Sequence, residues 1–366
     1  MKILEVIQSL GSGGAERLVV DLCNEMVKTQ EVYLLVLKEA DLFYLPQVSP
    51  DVHVIQAHLP LGKNLKQFIV SYRIIRDINP DIVHFHSQAR FTILPANLLL
   101  HRRFKFYMTI HSDVKDGYWK GVSGLQVRLS GLIGKTKFIT ISPTNFRQFE
   151  ELYPTLKQRM IKNGRSLPDN IDDTKVKQEI SSYKVDGNTL VFIHIARCSI
   201  VKNQTLLIEA FNQIVDRGYN AILLVIGSGF DSERGIELKR IACSRVHFLG
   251  TKERIYDYLA YSDLFLLSSL VEGMPMSIIE ALLAGVPVVS TPVCGAIDAV
   301  VDHENGLISP DFSISNYTET LQEGILNLNR LKHNASIQSK HSPWSIQYCS
   351  EQYLDWFNNT SRHEAN

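Results

Sequence analysis

The stretches Asp263-Leu-Phe-Leu-Leu-Ser268 and Glu272-Gly-Met-Pro-Met-Ser-Ile-Ile-Glu280 predict a strand, a loop and a helix in succession. The first stretch is an apolar run as long as a buried strand, and the helical pattern that follows Pro275 ends at Gly285. Proline suits the first turn of a helix, where its missing N–H costs nothing. Strand–loop–helix units of this kind indicate an α/β fold with parallel strands.

The start of this helix is a candidate anion-binding site. The backbone N–H groups of Met276, Ser277 and Ile278 are predicted to be free, and the helix dipole favours a negative charge such as a phosphate beside them. Glu272 lies in the loop before the helix, and Glu280 lies one to two turns into it. Carboxylates on both sides of an anion site fit a ligand with hydroxyls on both sides of a phosphate, as in a nucleotide sugar.

Composition limits the alternatives. The chain has 366 residues, a length that predicts about two domains. Lysine plus arginine and aspartate plus glutamate number 38 each, so no bias toward nucleic acid is indicated. The five cysteines include no CxxC pair, which predicts reduced thiols in a cytosolic protein rather than disulfides or a zinc site. No apolar run approaches the roughly 20 residues that span a bilayer, and the N-terminus predicts a first strand rather than a signal peptide.

Short apolar runs alternate with helical patterns along the chain, which predicts two doubly wound, Rossmann-like domains that face each other across a cleft. The predicted strands are residues 3–7, 32–37, 52–55, 82–85, 106–110 and 138–141, and then 190–195, 222–226, 246–249, 264–267 and 287–290. The polar stretch 168–175 predicts a linker, and therefore domains of residues 1–168 and 169–343. The aromatic, helical pattern in 344–366 predicts a tail that packs back on the N-terminal domain.

Ligands of parallel sheets bind beyond the carboxyl ends of the strands, so the loops after the strands carry the remaining candidates. Gly13 and Gly14 precede a helix start at which the backbone could approach a phosphate, although a tight turn without a ligand also explains them. Arg197 and Lys202 follow a strand, and two cations there suit a diphosphate that develops charge as it leaves. Ordinary surface cations remain the alternative.

Three further positions are weaker candidates by themselves. Gly227 and Gly250 each follow a strand, and either could line a nucleoside pocket or simply form a turn. His111 ends a predicted strand at the expected edge of the cleft. His84 and His86, on the preceding strand, are interpreted as structural residues.

Taken together, these features resemble the retaining GT-B glycosyltransferases of family GT4. The matching segments occur in the order typical of this family and extend over nearly the whole chain. The Glu-x7-Glu segment with its continuation is highly specific. The matching segments are Gly13-Gly14-Ala-Glu-Arg17, Thr109-Ile-His111, Ile141-Ser142, Asn163-Gly164, Arg197 with Lys202, Gly227-Ser-Gly229, Glu272-Gly-Met-Pro275 with Glu280-Ala281, and Ala284-Gly-Val-Pro-Val-Val289.

The resemblance implies a role for each site residue. Glu280 would bind the donor ribose, and Glu272 would face the donor sugar ring. Arg197 and Lys202 would hold the diphosphate, and His111 would contact the sugar near the reacting carbon. The remaining donor-binding positions would be Gly13, Gly14, Gly227, Gly250, Met276, Ser277 and Ile278.

The activity implied is retaining hexosyl transfer from a UDP- or GDP-linked sugar to a glycan or polyprenyl-linked acceptor in bacterial surface polysaccharide synthesis. The cations would neutralise the leaving group, so no metal or other cofactor is expected. A nucleotide-sugar epimerase of the same fold and a non-catalytic, nucleotide-sugar-binding partner of an assembly complex remain alternatives.

A cytoplasmic protein with peripheral contact at the inner face of the plasma membrane is one expectation for its location. The basic stretch 101–105 and the pattern of residues 125–133, with Arg128, Lys135 and Lys137, fit an amphipathic helix resting on anionic lipid. An ordinary surface helix with one buried side explains the same pattern.

Overall fold

The computed structural model describes residues 1–11, 13–38, 42–60, 66–86, 89–112, 114, 121–166, 173–339 and 344–362. The chain divides into two compact units. Unit 1 is Met1–Ser166 with Pro343–Asn366, and unit 2 is Leu167–Ser342. Most of the predicted linker, 168–172, lies outside the described residues, and its last three positions begin a helix of unit 2.

Unit 1 is built on a parallel sheet with helices packed against it. Its strands are β1 (Lys2–Ile7), β2 (Glu31–Lys38), β3 (His53–Leu59), β4 (Ile82–His86), β5 (Lys105–Ile110), β6 (Lys137–Thr140) and β7 (Gln158–Met160). Its first helices are α1 (Gly14–Met26), α2 (Lys66–Ile78), α3 (Arg90–Leu100), α4 (Gly121–Leu132) and α5 (Pro143–Leu152). The strand order β3-β2-β1-β4-β5-β6-β7 reverses between β1 and β4.

Unit 2 repeats this arrangement. Its strands are β8 (Leu190–Ile195), β9 (Ala221–Ile226), β10 (Val246–Gly250), β11 (Leu264–Leu267), β12 (Val288–Ser290) and β13 (Gly306–Ile308), in the order β10-β9-β8-β11-β12-β13. Its helices are α6 (Asp173–Tyr183), α7 (Gln204–Asp216), α8 (Glu233–Ile241), α9 (Ile255–Leu259), α10 (Met276–Leu283), α11 (Cys294–Ala299), α12 (Ile314–Leu326) and α13 (Leu328–Ser339). The order reverses between β8 and β11, and such a reversal opens a crevice at the carboxyl ends of the two strands.

The strands form where apolar residues occupy both faces of the chain. In β1, Leu4 and Val6 enter the hydrophobic cluster on one side of the sheet, whereas Ile3 and Ile7 enter the cluster on the other. Burial on both sides is the mark of a parallel sheet covered by helices. The predicted fold class, two doubly wound α/β units, is therefore confirmed.

The last helix, α14 (Ile346–Arg362), belongs to unit 1 and packs against α1. Its Tyr353 and Phe357 are fully buried in the same cluster as Ile3. An ion pair between Arg159 and Asp355 (2.8 Å) adds a polar contact to this packing. Among the described helices, none is both long enough and apolar enough to cross a bilayer.

Candidate functional site

In unit 2 the loops after β8 and β11 are joined through hydrogen bonds and an ion pair. Lys202 pairs with the Glu272 carboxylate, which also accepts a hydrogen bond from Ser269 Oγ (2.7 Å). The backbone N–H of Leu270 donates to the carbonyl O of Val201 (2.8 Å). The Lys202 and Glu272 side chains are only 21% and 13% exposed, so water screens their charges little. Two predicted site residues from distant parts of the chain thus meet at the strand reversal.

Side chains of unit 2 also hold the β8 loop by donating hydrogen bonds to its backbone carbonyl groups. Gln204 Nε2 donates to the carbonyl O of Arg197 (2.8 Å), and Ser268 Oγ donates to the carbonyl O of Lys202 (2.8 Å). The Arg197 side chain is exposed, and no ion pair to it is found within the described residues. One cation of the predicted pair is therefore anchored to a carboxylate, while the other extends into solvent.

Helix α10 begins at Met276, and Pro275 occupies the position immediately before it rather than its first turn. The prediction of three free N–H groups is wrong for Ile278, whose N–H donates to the carbonyl O of Pro275 (3.0 Å) because the helix starts with a tight turn. No hydrogen bond within the described residues engages the N–H of Met276 or Ser277. Glu280, just past the first turn, is buried, with 5% of its surface exposed.

The loop before α10 is supported from α11 and from the residue that follows β12. A Cβ at Gly295 would lie 2.5 Å from both the carbonyl O of Gly273 and Cα of Met274, too close for any side chain. Thr291 Oγ1 donates to the carbonyl O of Ser269 (2.6 Å). These contacts fix the height of the Glu272 loop above the sheet. They join positions far apart in sequence, so no local pattern predicts them.

Gly227 brings the β9 loop against the β8 loop. A Cβ on Gly227 would lie 2.0 Å from the carbonyl O of Ala196, and the N–H of Cys198 donates to the carbonyl O of Ser228 (2.8 Å). The N–H of Gly227 donates to the carbonyl O of Gly250 (2.9 Å), so the two predicted glycines are neighbours. Gly250 has a φ of +67° and open space around it, which makes its glycine a conformational requirement of the turn.

The predicted phosphate loop of unit 1 ends at α1, whose first residue is Gly14. The N–H of Gly13 donates to the carbonyl O of Gly11 (2.8 Å) and is therefore engaged within the loop. A Cβ at Gly13 would lie 2.2 Å from Oε2 of Glu16, so this carboxylate rests against the glycine. Because the end of this side chain is flexible, the contact does not by itself require glycine at this position, but it places negative charge beside the expected phosphate position.

A second polar cluster lies in unit 1 at the reversal between β1 and β4. The buried carboxylate of Glu5 contacts His84 Nδ1 through Oε1 (2.9 Å) and His86 Nε2 through Oε2 (3.0 Å). His86 Nδ1 in turn lies 2.8 Å from Nε2 of His111. His86 thus joins the predicted catalytic histidine to a strand-centre glutamate.

The ionisation of this cluster follows from burial and pairing. Burial alone would raise the pKa of Glu5, but the charge interaction with His84 and the hydrogen bonds from His84 and His86 lower it to about 2. Burial and the neighbouring His84 lower the pKa of His86 to about 4, against the opposing effect of Glu5. Burial, together with His86 and His84, lowers the pKa of His111 well below its ordinary value. Near neutral pH, Glu5 is charged and both His86 and His111 are neutral.

Helix α14 closes the other end of the cluster. His84 Nε2 lies 2.7 Å from Thr109 Oγ1, which lies 3.1 Å from the Tyr353 hydroxyl. Within the part of the chain that the structure describes, Glu5, His84 and His86 are the one group of side chains whose atoms lie close enough together to hold a metal ion. Both ring nitrogens of each histidine already have hydrogen-bond partners, so an ion is not needed to explain the arrangement.

Sequence reasoning overlooked Glu5 and interpreted His86 as structural. Glu5 could have been found from the sequence because it is a charged residue at the centre of an apolar strand. An ionised side chain is almost never buried unless it is paired, so such a residue indicates a buried partner. The two residue spacing of His84 and His86 puts both on one face of β4, and the parallel register sets Glu5 beside His84.

Two family models match successive parts of the chain. The model of glycosyl transferases group 1 matches residues 175–341, and that of Glycosyltransferase Family 4 matches residues 12–166. Together these matches cover both units.

Curated relatives are similar over part of their length. An uncharacterized glycosyltransferase of Methanocaldococcus jannaschii is 28% identical over 63% of this chain and 60% of its own. The UDP-Gal:alpha-D-GlcNAc-diphosphoundecaprenol alpha-1,3-galactosyltransferase of Escherichia coli is 27% identical over 69% of this chain and 66% of its own. The matched part of this chain thus spans between three fifths and two thirds of the length of these two relatives.

A solved structure is similar over the whole chain. The Anabaena protein HepE, crystallised with UDP and glucose, superimposes with a TM-score of 0.79 at 21% identity. The likeness covers 98% of this chain and 100% of the Anabaena protein. It establishes the fold.

Proposed function

Because this chain belongs to the group 1, family 4 glycosyltransferases, we propose that it is a retaining hexosyltransferase that uses a UDP- or GDP-linked sugar. The acceptor is a hydroxyl of a glycan or lipid-linked saccharide in bacterial surface polysaccharide synthesis. The observation that carries the proposal is the Lys202–Glu272 ion pair, which joins the two loops at the strand reversal of unit 2. The ends of strands at such a reversal are where doubly wound sheets bind their ligands.

The chemistry assigned to this site is stabilisation of a leaving diphosphate. Lys202 is held in place by Glu272 before the donor binds, so little reorganisation is needed when negative charge develops nearby. Arg197 extends from the same loop and supplies a second cation. The N–H groups of Met276 and Ser277 add donors at a helix start. These groups supply positive charge and hydrogen-bond donors to the leaving group, and we propose that transfer proceeds on them without a metal ion.

The remaining contacts are assigned to the sugar and the nucleoside. Glu272 accepts hydrogen bonds from hydroxyls of the donor sugar. Glu280, which is buried on α10, accepts hydrogen bonds from the ribose hydroxyls. The name of the Escherichia coli relative, with its UDP-galactose donor and diphosphoundecaprenol acceptor, favours a UDP-sugar and a polyprenyl-linked acceptor. The UDP bound to the Anabaena protein supports the same base.

The first experiment is a thermal-shift panel of UDP-, GDP- and ADP-sugars with and without EDTA. A ligand at 100 times its Kd stabilises the folded state by about 2.7 kcal/mol, which gives a clear shift. We expect a shift with UDP-sugars that EDTA leaves unchanged. A shift abolished by EDTA would contradict metal independence, and no shift with any donor would contradict a nucleotide-sugar site in unit 2.

A second assay separates transfer from epimerisation. A transferase releases stoichiometric nucleoside diphosphate only when it passes the sugar to an acceptor, whereas an epimerase converts the donor without one. We expect UDP release to require a lipid-linked acceptor, with an anomeric configuration in the product that matches the donor by NMR. Conversion of the donor sugar in the absence of acceptor would instead support the epimerase.

We also propose that α4 rests on a membrane that presents the acceptor. Val122, Leu125 and Leu132 lie on one side of this helix and are 75%, 56% and 62% exposed. Arg128 lies beside them and is exposed. Exposed apolar residues flanked by a cation fit an anionic lipid surface. Lys137, which the sequence grouped with this helix, is buried and belongs to β6 instead.

Replacement of Leu125 by glutamate is expected to weaken binding to vesicles that contain phosphatidylglycerol by about tenfold or more, since it removes an apolar side chain and adds repulsion. Co-sedimentation with vesicles measures the effect. Val185→Glu in unit 2 is the matched control, because Val185 is 60% exposed and lies outside α4. Equal losses in both variants, or none in Leu125→Glu, would contradict a membrane role for α4.

A further inference from the structure

The carboxylate of Glu272 is held through only one of its two oxygens. Lys202 Nζ and Ser269 Oγ both donate to Oε1, the serine over 2.7 Å, and no described residue donates to Oε2. A carboxylate only accepts hydrogen bonds, so the hydroxyl proton of Ser269 points at Oε1. Oε2 therefore keeps its capacity to accept hydrogen bonds from a ligand.

We propose that Ser269 is a positioning residue that fixes the plane of the Glu272 carboxylate, so that Oε1 serves Lys202 and Oε2 is presented to hydroxyls of the donor sugar. The contact between Oε2 and the sugar rests on the proposed function. The orientation of the carboxylate does not, because it follows from contacts within unit 2 alone.

Two fixed donors are needed to define this orientation. The terminal torsion of a glutamate side chain is broad, so a single ion pair would leave the plane of the carboxylate poorly defined. Ser269 is a suitable second donor because its own position is fixed. It is fully buried, and its carbonyl O accepts from Oγ1 of the fully buried Thr291 (2.6 Å). The N–H of Thr291 in turn donates to the carbonyl O of Leu267 (3.0 Å), the last residue of β11.

The arrangement divides the polar groups of the site between two parts of the ligand. The ammonium of Lys202 has three N–H groups, and Oε1 of Glu272 takes one of them. The other two have no acceptor among the described residues and are available to the diphosphate. Oε2 is an acceptor and suits only the hydroxyls of the sugar. Loss of Ser269 should therefore affect recognition of the sugar and leave recognition of the nucleotide intact.

The Ser269→Ala variant tests this separation, because it removes the hydroxyl and little else. Isothermal titration calorimetry is carried out with UDP and with UDP-glucose, UDP-galactose and UDP-N-acetylglucosamine. For the sugar that the native protein binds most tightly, we expect Kd to rise about tenfold, since hydrogen bonds to charged groups contribute about that much. We expect the Kd of UDP to stay within about twofold of its native value.

Ser262→Ala is the matched control. Ser262 is also buried, with 3% of its surface exposed, and its Oγ donates to the carbonyl O of Tyr258 (2.8 Å). It precedes β11, which begins at Leu264, and so lies at the other end of that strand from Ser269. We expect Ser262→Ala to bind UDP and the UDP-sugar with native affinity.

The Glu272→Ala background tests whether Ser269 acts through the carboxylate. Without that carboxylate, we expect the further change Ser269→Ala to leave the Kd of the UDP-sugar unchanged. A general loosening of the loop would instead weaken binding by the same factor in both backgrounds. Urea unfolding of the native protein, the two single variants and the double variant measures the same coupling without a ligand. We expect the double variant to lose about tenfold less, in the equilibrium constant for unfolding, than the product of the two single losses.

Three results would overturn the proposal. One is a rise in Kd for UDP in Ser269→Ala as large as that for the UDP-sugar. Another is an unchanged Kd for the UDP-sugar in that variant. The third is an unfolding cycle in which the losses from Ser269→Ala and Glu272→Ala simply multiply. If the native protein binds no UDP-sugar, the proposed function and the sugar contact fail together, whereas the unfolding cycle still decides whether Ser269 holds Glu272.

Discussion

The Lys202→Met variant is expected to transfer sugar about 10²- to 10³-fold more slowly than the native enzyme. Methionine keeps the length and most of the volume of lysine but removes the positive charge. The charge is held by Glu272 before the donor arrives, so its loss should affect the step in which the diphosphate leaves. Initial rates of nucleoside diphosphate release, at saturating donor and acceptor, measure the change.

The matched control is Lys332→Met. Lys332 also pairs with a carboxylate in unit 2, that of Asp263 (2.7 Å). Asp263 accepts from the N–H of Val191 at the start of β8, which places this pair at the opposite end of the strands. We expect Lys332→Met to retain native activity. Native turnover in Lys202→Met, or an equal loss in both variants, would remove Lys202 from the catalytic groups.

A double variant tests whether Lys202 and Glu272 act as one unit. Glu272→Gln should also reduce transfer strongly, because it removes the carboxylate that anchors Lys202 and faces the sugar. Residues that act together show losses that do not add. We therefore expect Lys202→Met with Glu272→Gln to be little slower than the slower single variant.

The strands of both sheets could be predicted from sequence, except for one very short edge strand in each sheet. Each of the eleven predicted strands overlaps an observed one. The two that were missed, β7 (Gln158–Met160) and β13 (Gly306–Ile308), are three-residue strands at one edge of each sheet. A central strand needs apolar residues on both faces, which leaves a pattern in the sequence. An edge strand of three residues is defined by its backbone pairing, which leaves almost no pattern in the sequence.

The positions of the charged residues in the candidate site were similarly easier to predict than the contacts that these residues make with one another. Lys202 and Glu272 could be located because each follows an apolar run that had to be a strand. Their mutual pairing required the reversal between β8 and β11, which depends on how the strands are ordered in space. The same ordering sets Glu5 beside β4, so the sequence showed a glutamate in a strand but not the histidines that it contacts.

Gly227→Ala is expected to destabilise unit 2 by about 2–4 kcal/mol and to lower transfer activity with it. The new Cβ would lie 2.0 Å from the carbonyl O of Ala196, so the backbone of one of the two loops has to move. That movement displaces the loop that carries Arg197 and Lys202. Urea unfolding followed by far-UV circular dichroism measures the loss of stability.

Two other glycines of unit 2 show why the effect should be specific. Gly187 has open space around it and no unusual φ, so Gly187→Ala should be neutral or slightly stabilising. Gly250→Ala should cost about 1 kcal/mol, because its φ of +67° is strained for alanine but nothing blocks the Cβ. Residues 167–342 contain no tryptophan, so tryptophan fluorescence follows unit 1 and should report an unchanged transition in all three variants. If Gly227→Ala were no less stable than Gly250→Ala, the loops could separate at little cost, and the close approach at Ala196 would not be what positions the two cations.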